Sequence, residues 1–286
     1  MNISLEKIIK YIKNPIFFYY KLRNFYFYIK YNNTYDYLLY QNKQNFKFKK
    51  LNLNRKQGLN KIKQIKKNFK FYSSPMNSEH QVFFSSLSLK KKVKKILEIG
   101  TFDGINAYQL SLFFPKAKIT TIDLEFDSKE FKGSYGRNEE QKRRVFCQSR
   151  DKIINQSKNI KFIEKNSVKL VFDNHKYDLI WVDGAHGNPV VTIDIINSLR
   201  LLNNNGIMAC DDIFIEKNTE DRNFNRFDPK YANQMFSDLN AYETLCVLRD
   251  AKVIEFSLIF KRIDKQNNSI PSRRKYIAVV KKKIIS

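Results

Sequence analysis

Cysteine, proline and glycine are scarce in this 286-residue chain, at 3, 6 and 8 residues. Cys147, Cys210 and Cys246 are odd in number and far apart, and Cys210 sits inside an apolar stretch. That excludes a disulfide framework and a cysteine-rich zinc module, and it suits buried thiols in a reducing cytoplasm. Long apolar runs are missing too. Lys13, Lys21, Arg23 and Lys30 break up the most aromatic N-terminal stretch, so no run approaches the ~18 residues of a membrane span, and no secretory leader is legible. Acids are outnumbered, with 28 Asp and Glu against 53 Lys and Arg, for a net charge of +25.

What is present is unevenly placed. Seven of the eight glycines lie between Gly100 and Gly206, which concentrates glycine-dependent turns in the centre of the chain. Residues 1–72 carry 17 Lys and Arg against two acids, Glu6 and Asp36, together with 18 aromatic residues. Such a segment can meet phosphate, nucleic acid or an anionic lipid surface. Yet Lys, Asn, Ile, Phe and Tyr abound throughout, and compositional drift explains the charge without any function. From Ser73 the pattern changes. The expected organisation is a basic, aromatic-rich, mostly helical segment over 1–72 and one α/β domain over 73–286. Ser78 with Gln81 three residues on has capping-box spacing, which places a helix ahead of the first strand.

The stretch "KKILEIGTFDGINAYQL", Lys94 to Leu110, carries the first site signal. Lys95–Ile99 reads as a strand buried on both faces and Ile105–Phe114 as a helix. Gly100 and Gly104 bracket Thr101, Phe102 and Asp103 between them. Glycine is used where the backbone needs positive φ or where a ligand must approach without a Cβ in the way. The spacing is Gly-x-x-x-Gly, without the tight diphosphate cradle of Gly-x-Gly-x-x-Gly. With Glu98 at the strand end, a ligand bearing an amine or ribose hydroxyls is a better guest than a diphosphate. Asp123 ends the next strand, in "KITTIDLE", 23 positions beyond Gly100. That is about the spacing at which a carboxylate reaches ribose hydroxyls.

Further strands at Ile160–Glu164, Tyr177–Val182 and Gly206–Cys210 alternate with helical stretches at Glu139–Asn155 and Val190–Leu202. The series predicts a Rossmann-like, doubly wound, mostly parallel sheet. "KVIEFSLIFKRI" and "RRKYIAVVKKKII", joined by the polar "DKQNNSIPS", predict a C-terminal antiparallel hairpin closing it. Ligands of such sheets lie beyond the carboxyl ends of the strands. Glu98, Asp123, Asp183 and the pair Asp211 and Asp212 all fall at those ends. Three crowded carboxylates repel unless protonated or bridged by a cation, and an all-oxygen set suits Mg²⁺ or Mn²⁺. The alternative is that Asp183 makes a turn with Gly184 and Asp212 caps the next segment. His186, three residues after Asp183, is placed to take a proton from a hydroxyl, unless it is simply a hydrogen-bonded structural histidine. His80 and His175 have weaker claims.

These residues resemble the class I S-adenosylmethionine-dependent methyltransferases from about Ser73 onward, through "LEIGTFDG", "TTIDLE", "DLIWVDGAHGNPVV" and "NGIMACDDIF". The resemblance implies S-adenosylmethionine as cofactor. Its methionine part would lie against Glu98, Gly100, Thr101 and Gly104, its ribose against Asp123, and its adenine near Asn166 and Ser167. The "DGAH" and "DD" elements are similar to those of metal-dependent O-methyltransferases of catechol and sugar type. They imply that Asp183, Asp211 and Asp212 hold Mg²⁺ or Mn²⁺ while His186 deprotonates the acceptor. Two positions depart from that pattern, Asn188 in place of a tyrosine and Asp212 in place of the amide of the catechol enzymes.

The implied reaction is methyl transfer to a hydroxyl of a small-molecule or glycan acceptor in the cytoplasm. The rival is an RNA or protein methyltransferase whose basic N-terminal segment holds an anionic polymer. Nucleic acid is the less favoured partner, because "DGAH" stands where base-amine methylation uses an Asn or Asp, Pro-Pro and aromatic run. A basic, aromatic N-terminus also suggests peripheral contact with the inner face of the membrane. Residues Ile215 to Phe236 have the length and mixed polarity of an acceptor-covering insertion, and their polar groups fit a hydroxylated acceptor such as a sugar.

Overall fold

The computed structural model describes residues 34–69, 78–135, 137–215, 239–265 and 274–283, with isolated positions between 22 and 30. The expected helices of residues 1–33, the acceptor-covering stretch beyond Ile215 and the connection over 266–273 therefore lie outside the described residues.

Strands β1 (Lys95–Ile99), β2 (Lys118–Asp123), β3 (Ile160–Glu164) and β4 (Tyr177–Val182) occupy the predicted spans, while β5 is longer than expected, Leu202–Ile213. With β6 (Ile254–Phe260) and β7 (Tyr276–Lys282) they form one seven-stranded sheet of order β3-β2-β1-β4-β5-β7-β6. The first five strands pair in parallel, and β7 runs antiparallel to both β5 and β6. The Rossmann-like, mostly parallel sheet expected from the sequence is the one that forms. Its two tail strands make the expected antiparallel pair, with the last strand inserted between β5 and β6.

Near-continuous apolar strands work here because each strand serves two cores. Side chains alternate across a sheet, and Leu97, Ile99, Ile180, Val182, Met208 and Cys210 enter one cluster while Ile96, Leu179, Trp181, Ile207 and Ala209 enter the other. On the first face lie α7 (Val190–Leu201) and α8 (Asn240–Asp250), through Val191, Ile195, Ala241 and Leu245. On the second lie α2 (Arg55–Asn68), α3 (His80–Lys90) and α4 (Ile105–Phe113), through Ile62, Phe83, Phe84 and Leu110. Two further helices, α5 (Lys129–Gly133) and α6 (Glu140–Ile154), and a 3₁₀ turn over Ser167–Phe172 complete the crossovers.

The helix before β1 exists, but its cap differs from the expected one. It begins at His80 after Glu79, with no side-chain cap, and Ser78 Oγ accepts only the His80 N–H at 3.5 Å. Glu79 is engaged elsewhere, in a buried bidentate pair with Arg55 at 2.7 Å for both bonds. Helix α1 (Tyr37–Lys50), capped by Asp36, covers the edge strand. Gln44 accepts the Phe260 N–H and donates to the Phe260 carbonyl, both at 2.9 Å, and Lys47 Nζ donates to Leu258 O at 2.8 Å. A side-chain amide thus pairs with backbone groups of an edge strand that would otherwise recruit another strand.

Candidate functional site

The glycine turn after β1 is shaped by its protein neighbours. Gly100 has φ +97°, and a Cβ there would meet the Asp183 carbonyl oxygen at 2.2 Å. Gly104, at φ +77°, would place a Cβ 2.8 Å from Ile154 in α6. Both positions need glycine for a left-handed backbone and for close packing of β4 and α6, a different reason from the ligand approach expected at the sequence level.

Glu98 is likewise placed under the turn. It is 0% exposed, with Oε1 accepting from Asn106 Nδ2 at 2.6 Å and Oε2 from Thr121 Oγ1 at 2.5 Å. Burial first, then the Asp103 and Asp123 charges, outweigh those two hydrogen bonds and raise its carboxyl to about 8. The chain continues to Thr101, whose hydroxyl lies 2.6 Å from that of Thr121. Glu98 and Thr101 brace the turn from beneath.

Asp123 is at the rim, as expected of the end of β2. It accepts the Phe102 N–H at 2.8 Å through one oxygen and its neighbour Leu124 N–H at 2.8 Å through the other. A carboxylate has about four lone-pair sites, so each oxygen retains acceptor capacity. Beside it, the half-exposed ring of Phe102 packs against Tyr135, with centroids 4.9 Å apart. Asn166 caps the 3₁₀ turn after β3 by accepting the Val168 N–H at 3.0 Å, and Ser167 opens that turn.

The expected carboxylate cluster assembles at the ends of β4 and β5. Val182 pairs with Cys210, which brings Asp183 alongside Asp211. Consecutive strand residues normally point to opposite faces. Here Asp212 has φ +53° and the pairing with β7 shifts between Cys210 and Ile213. This bulge lets both aspartates reach one partner. That partner is Lys261, whose Nζ lies 2.5 Å from Asp211 Oδ2 and 2.5 Å from Asp212 Oδ1. Lys275 Nζ takes the other Asp212 oxygen at 2.7 Å. His186 Nε2 faces Asp212 Oδ2 at 3.8 Å and Asp183 Oδ1 at 3.9 Å.

The electrostatics follow from this cage. Against burial, Lys261 and Lys275 hold Asp212 well below the usual carboxylate range. Burial and the nearby Asp211 push Asp183 upward. Burial lowers His186 despite Asp212 and Asp211, which favours a neutral imidazole able to accept a proton. His80 is instead packed against Trp181 and Phe84, and burial pushes it down to about 4.

As arranged, these residues do not fit the expected divalent ion. Among the described residues no group of three or more His, Cys, Asp or Glu side chains has metal-holding geometry. The oxygens Asp211 Oδ2, Asp212 Oδ1 and Asp212 Oδ2 all accept from ammonium groups. Two unit charges 4 Å apart interact by about 4 kcal/mol at an effective dielectric near 20, and a divalent ion would feel about twice that repulsion from each lysine. Lys261 directly follows β6 and Lys275 directly precedes β7, and only the sheet order reveals them as neighbours of β5.

Residues 97–213, the span from β1 through β5 of the Rossmann-like sheet, match the family model of a methyltransferase domain. No curated protein matches the chain. Among solved structures, the O-methyltransferase TomG from Streptomyces achromogenes, involved in tomaymycin synthesis, is 14% identical, covering 83% of this chain and 95% of its own at a TM-score of 0.48. The Podospora anserina methyltransferase PaMTH1 is 17% identical, covering 80% and 88% at 0.48. The Bacillus cereus O-methyltransferase is 12% identical, covering 80% and 90% at 0.47.

Proposed function

We propose that this chain transfers a methyl group from S-adenosylmethionine to a hydroxyl of a small-molecule or glycan acceptor. One observation carries the reading: a carboxylate with spare acceptor capacity, Asp123, and the imidazole of His186 beside Asp212 share the carboxyl-end edge of one parallel sheet. Asp123 accepts the two ribose hydroxyls, with Asn166 and Ser167 toward the adenine and the Gly100–Gly104 turn toward the methionine part. S-adenosylmethionine, when bound, supplies an electrophilic methyl on a sulfonium.

His186 removes the acceptor hydroxyl proton as the new O–C bond forms and the S–C bond breaks. The products are a methyl ether, S-adenosylhomocysteine and a protonated His186. Asp212 faces that imidazolium, and its negative charge stabilises it as it develops. Holding both reactants at one sheet edge supplies much of the rate. The test is incubation with methyl-labelled S-adenosylmethionine and a panel of nucleotide sugars, glycans and catechols, with label in a methyl ether as the supporting result. Label transferred only to RNA, with affinity falling steeply as salt rises, would move the reading to the polymer-binding alternative.

A further inference from the structure

We propose that Lys261, seconded by Lys275, is the resident counter-cation of the Asp211–Asp212 pair, so that the acceptor side of this site works without a divalent metal. The proposal rests on the methyl-transfer reading above for its functional meaning, but its geometry stands apart from it.

Four observations carry it. The Lys261 and Asp211 side chains are each only 3% exposed, and charges this deep are kept only when paired. The left-handed Asp212 inside a strand is a costly backbone state for a non-glycine residue, and it is what allows two successive carboxylates to reach one ammonium. Lys261 is also pinned by its backbone, with its N–H donating to Lys275 O at 2.9 Å and its carbonyl accepting from Glu79 N–H at 2.7 Å. Finally, of the four oxygens of the pair, only Asp211 Oδ1 has no hydrogen-bond partner among the described residues. The pair thus offers a divalent ion one unengaged oxygen, beside two ammonium groups that repel it. Lys261 is therefore a positioning residue. It neutralises the pair and holds Asp212 where that carboxylate faces His186.

Mn²⁺ titrated into the full chain, followed by the electron paramagnetic resonance of the free ion, tests this. The wild type should leave the free-ion signal unchanged at millimolar Mn²⁺. Lys261→Ala should create a site at least tenfold tighter than any in the wild type, and adding Asp212→Asn should remove it. Lys261→Arg, which keeps the charge, should stay blind to the ion. A wild type that binds one Mn²⁺ per chain and loses it on Asp212→Asn would overturn the proposal. A folded Lys261→Ala that gains no Mn²⁺ would do the same. If Lys261→Ala fails to fold, the wild-type titration and Lys275→Ala, which frees Asp212 Oδ2 and should gain weak Mn²⁺ binding, still decide. Calorimetry with S-adenosylhomocysteine on the wild type keeps the two levels apart, since absent binding there would sink the methyl-transfer reading and leave the Mn²⁺ result standing.

Discussion

Replacing Glu98 by glutamine should make the protein more stable relative to the wild type as pH rises, and the size of that effect follows from where the carboxyl sits. In the folded chain Glu98 is fully buried and its carboxyl is raised from 4.5 to about 8. The protonated form is therefore the one the fold prefers. Its stabilising contribution is fully present below pH 4.5, falls as pH rises, and is lost above about pH 8. Every tenfold change in proton affinity corresponds to about 1.4 kcal/mol, so the whole interval is worth roughly 5 kcal/mol. Glu98→Gln fixes the neutral state and can still accept from Asn106 through its carbonyl oxygen and meet the Thr121 hydroxyl through its amide. Urea denaturation of both proteins at pH 5, 7 and 9 measures the difference, in which all other titrating groups cancel to first order. The variant should gain steadily on the wild type up to pH 8 and no further. Parallel pH profiles for the two proteins would show that Glu98 is ionised in the fold and refute the reasoning.

Asp123→Ala should weaken S-adenosylmethionine and S-adenosylhomocysteine alike, by about 10- to 100-fold for the loss of charge-assisted hydrogen bonds, in calorimetry. Asp123→Asn is its companion, since it retains an acceptor for one of the two backbone N–H groups that the aspartate holds. His186→Ala should slow turnover by about 10²–10⁴-fold while sparing cofactor affinity, with partial recovery at high pH where the acceptor ionises unaided. Wild-type turnover in that variant would mean that the base is another group.

The sequence was most legible where one signal sufficed. Apolar runs placed β1 and β4 residue for residue, because a parallel strand buried on both faces is written almost entirely in apolar residues. Acids at strand ends gave Asp123, Asp183, Asp211 and Asp212, since parallel topology brings all such ends to one edge. The extra length of β5 was hidden by "LNNNG", whose polar residues read as a loop although Leu202 already pairs with Tyr177. The function of Gly100 was half legible: its positive φ could be expected, but not that the Asp183 carbonyl fills the missing Cβ space. Lys261 and Lys275 were illegible as site residues in a chain with 53 basic side chains. They become specific only because β7 inserts beside β5 and the bulge at Asp212 turns the carboxylates toward them.

That same edge explains why the helices over 34–69 matter to the site. Arg55 holds Glu79 through two bonds at 2.7 Å, both side chains 7% exposed, and the Glu79 N–H in turn donates to the carbonyl of Lys261. Gln44 joins by donating to Glu79 at 3.2 Å while it pairs with Phe260, the residue before Lys261. A buried pair that loses one member leaves an uncompensated charge, which costs about 3–5 kcal/mol. Arg55→Met should therefore destabilise the chain by that amount in urea. Arg55→Met with Glu79→Gln should recover much of it, because the second change removes the stranded charge instead of adding a second loss. Strictly additive costs would mean that the two groups act independently, and a cost below about 1 kcal/mol would place the pair among exposed, weak ion pairs. If the coupling holds, these N-terminal helices are part of what fixes the end of β6, and with it the ammonium that sits between Asp211 and Asp212.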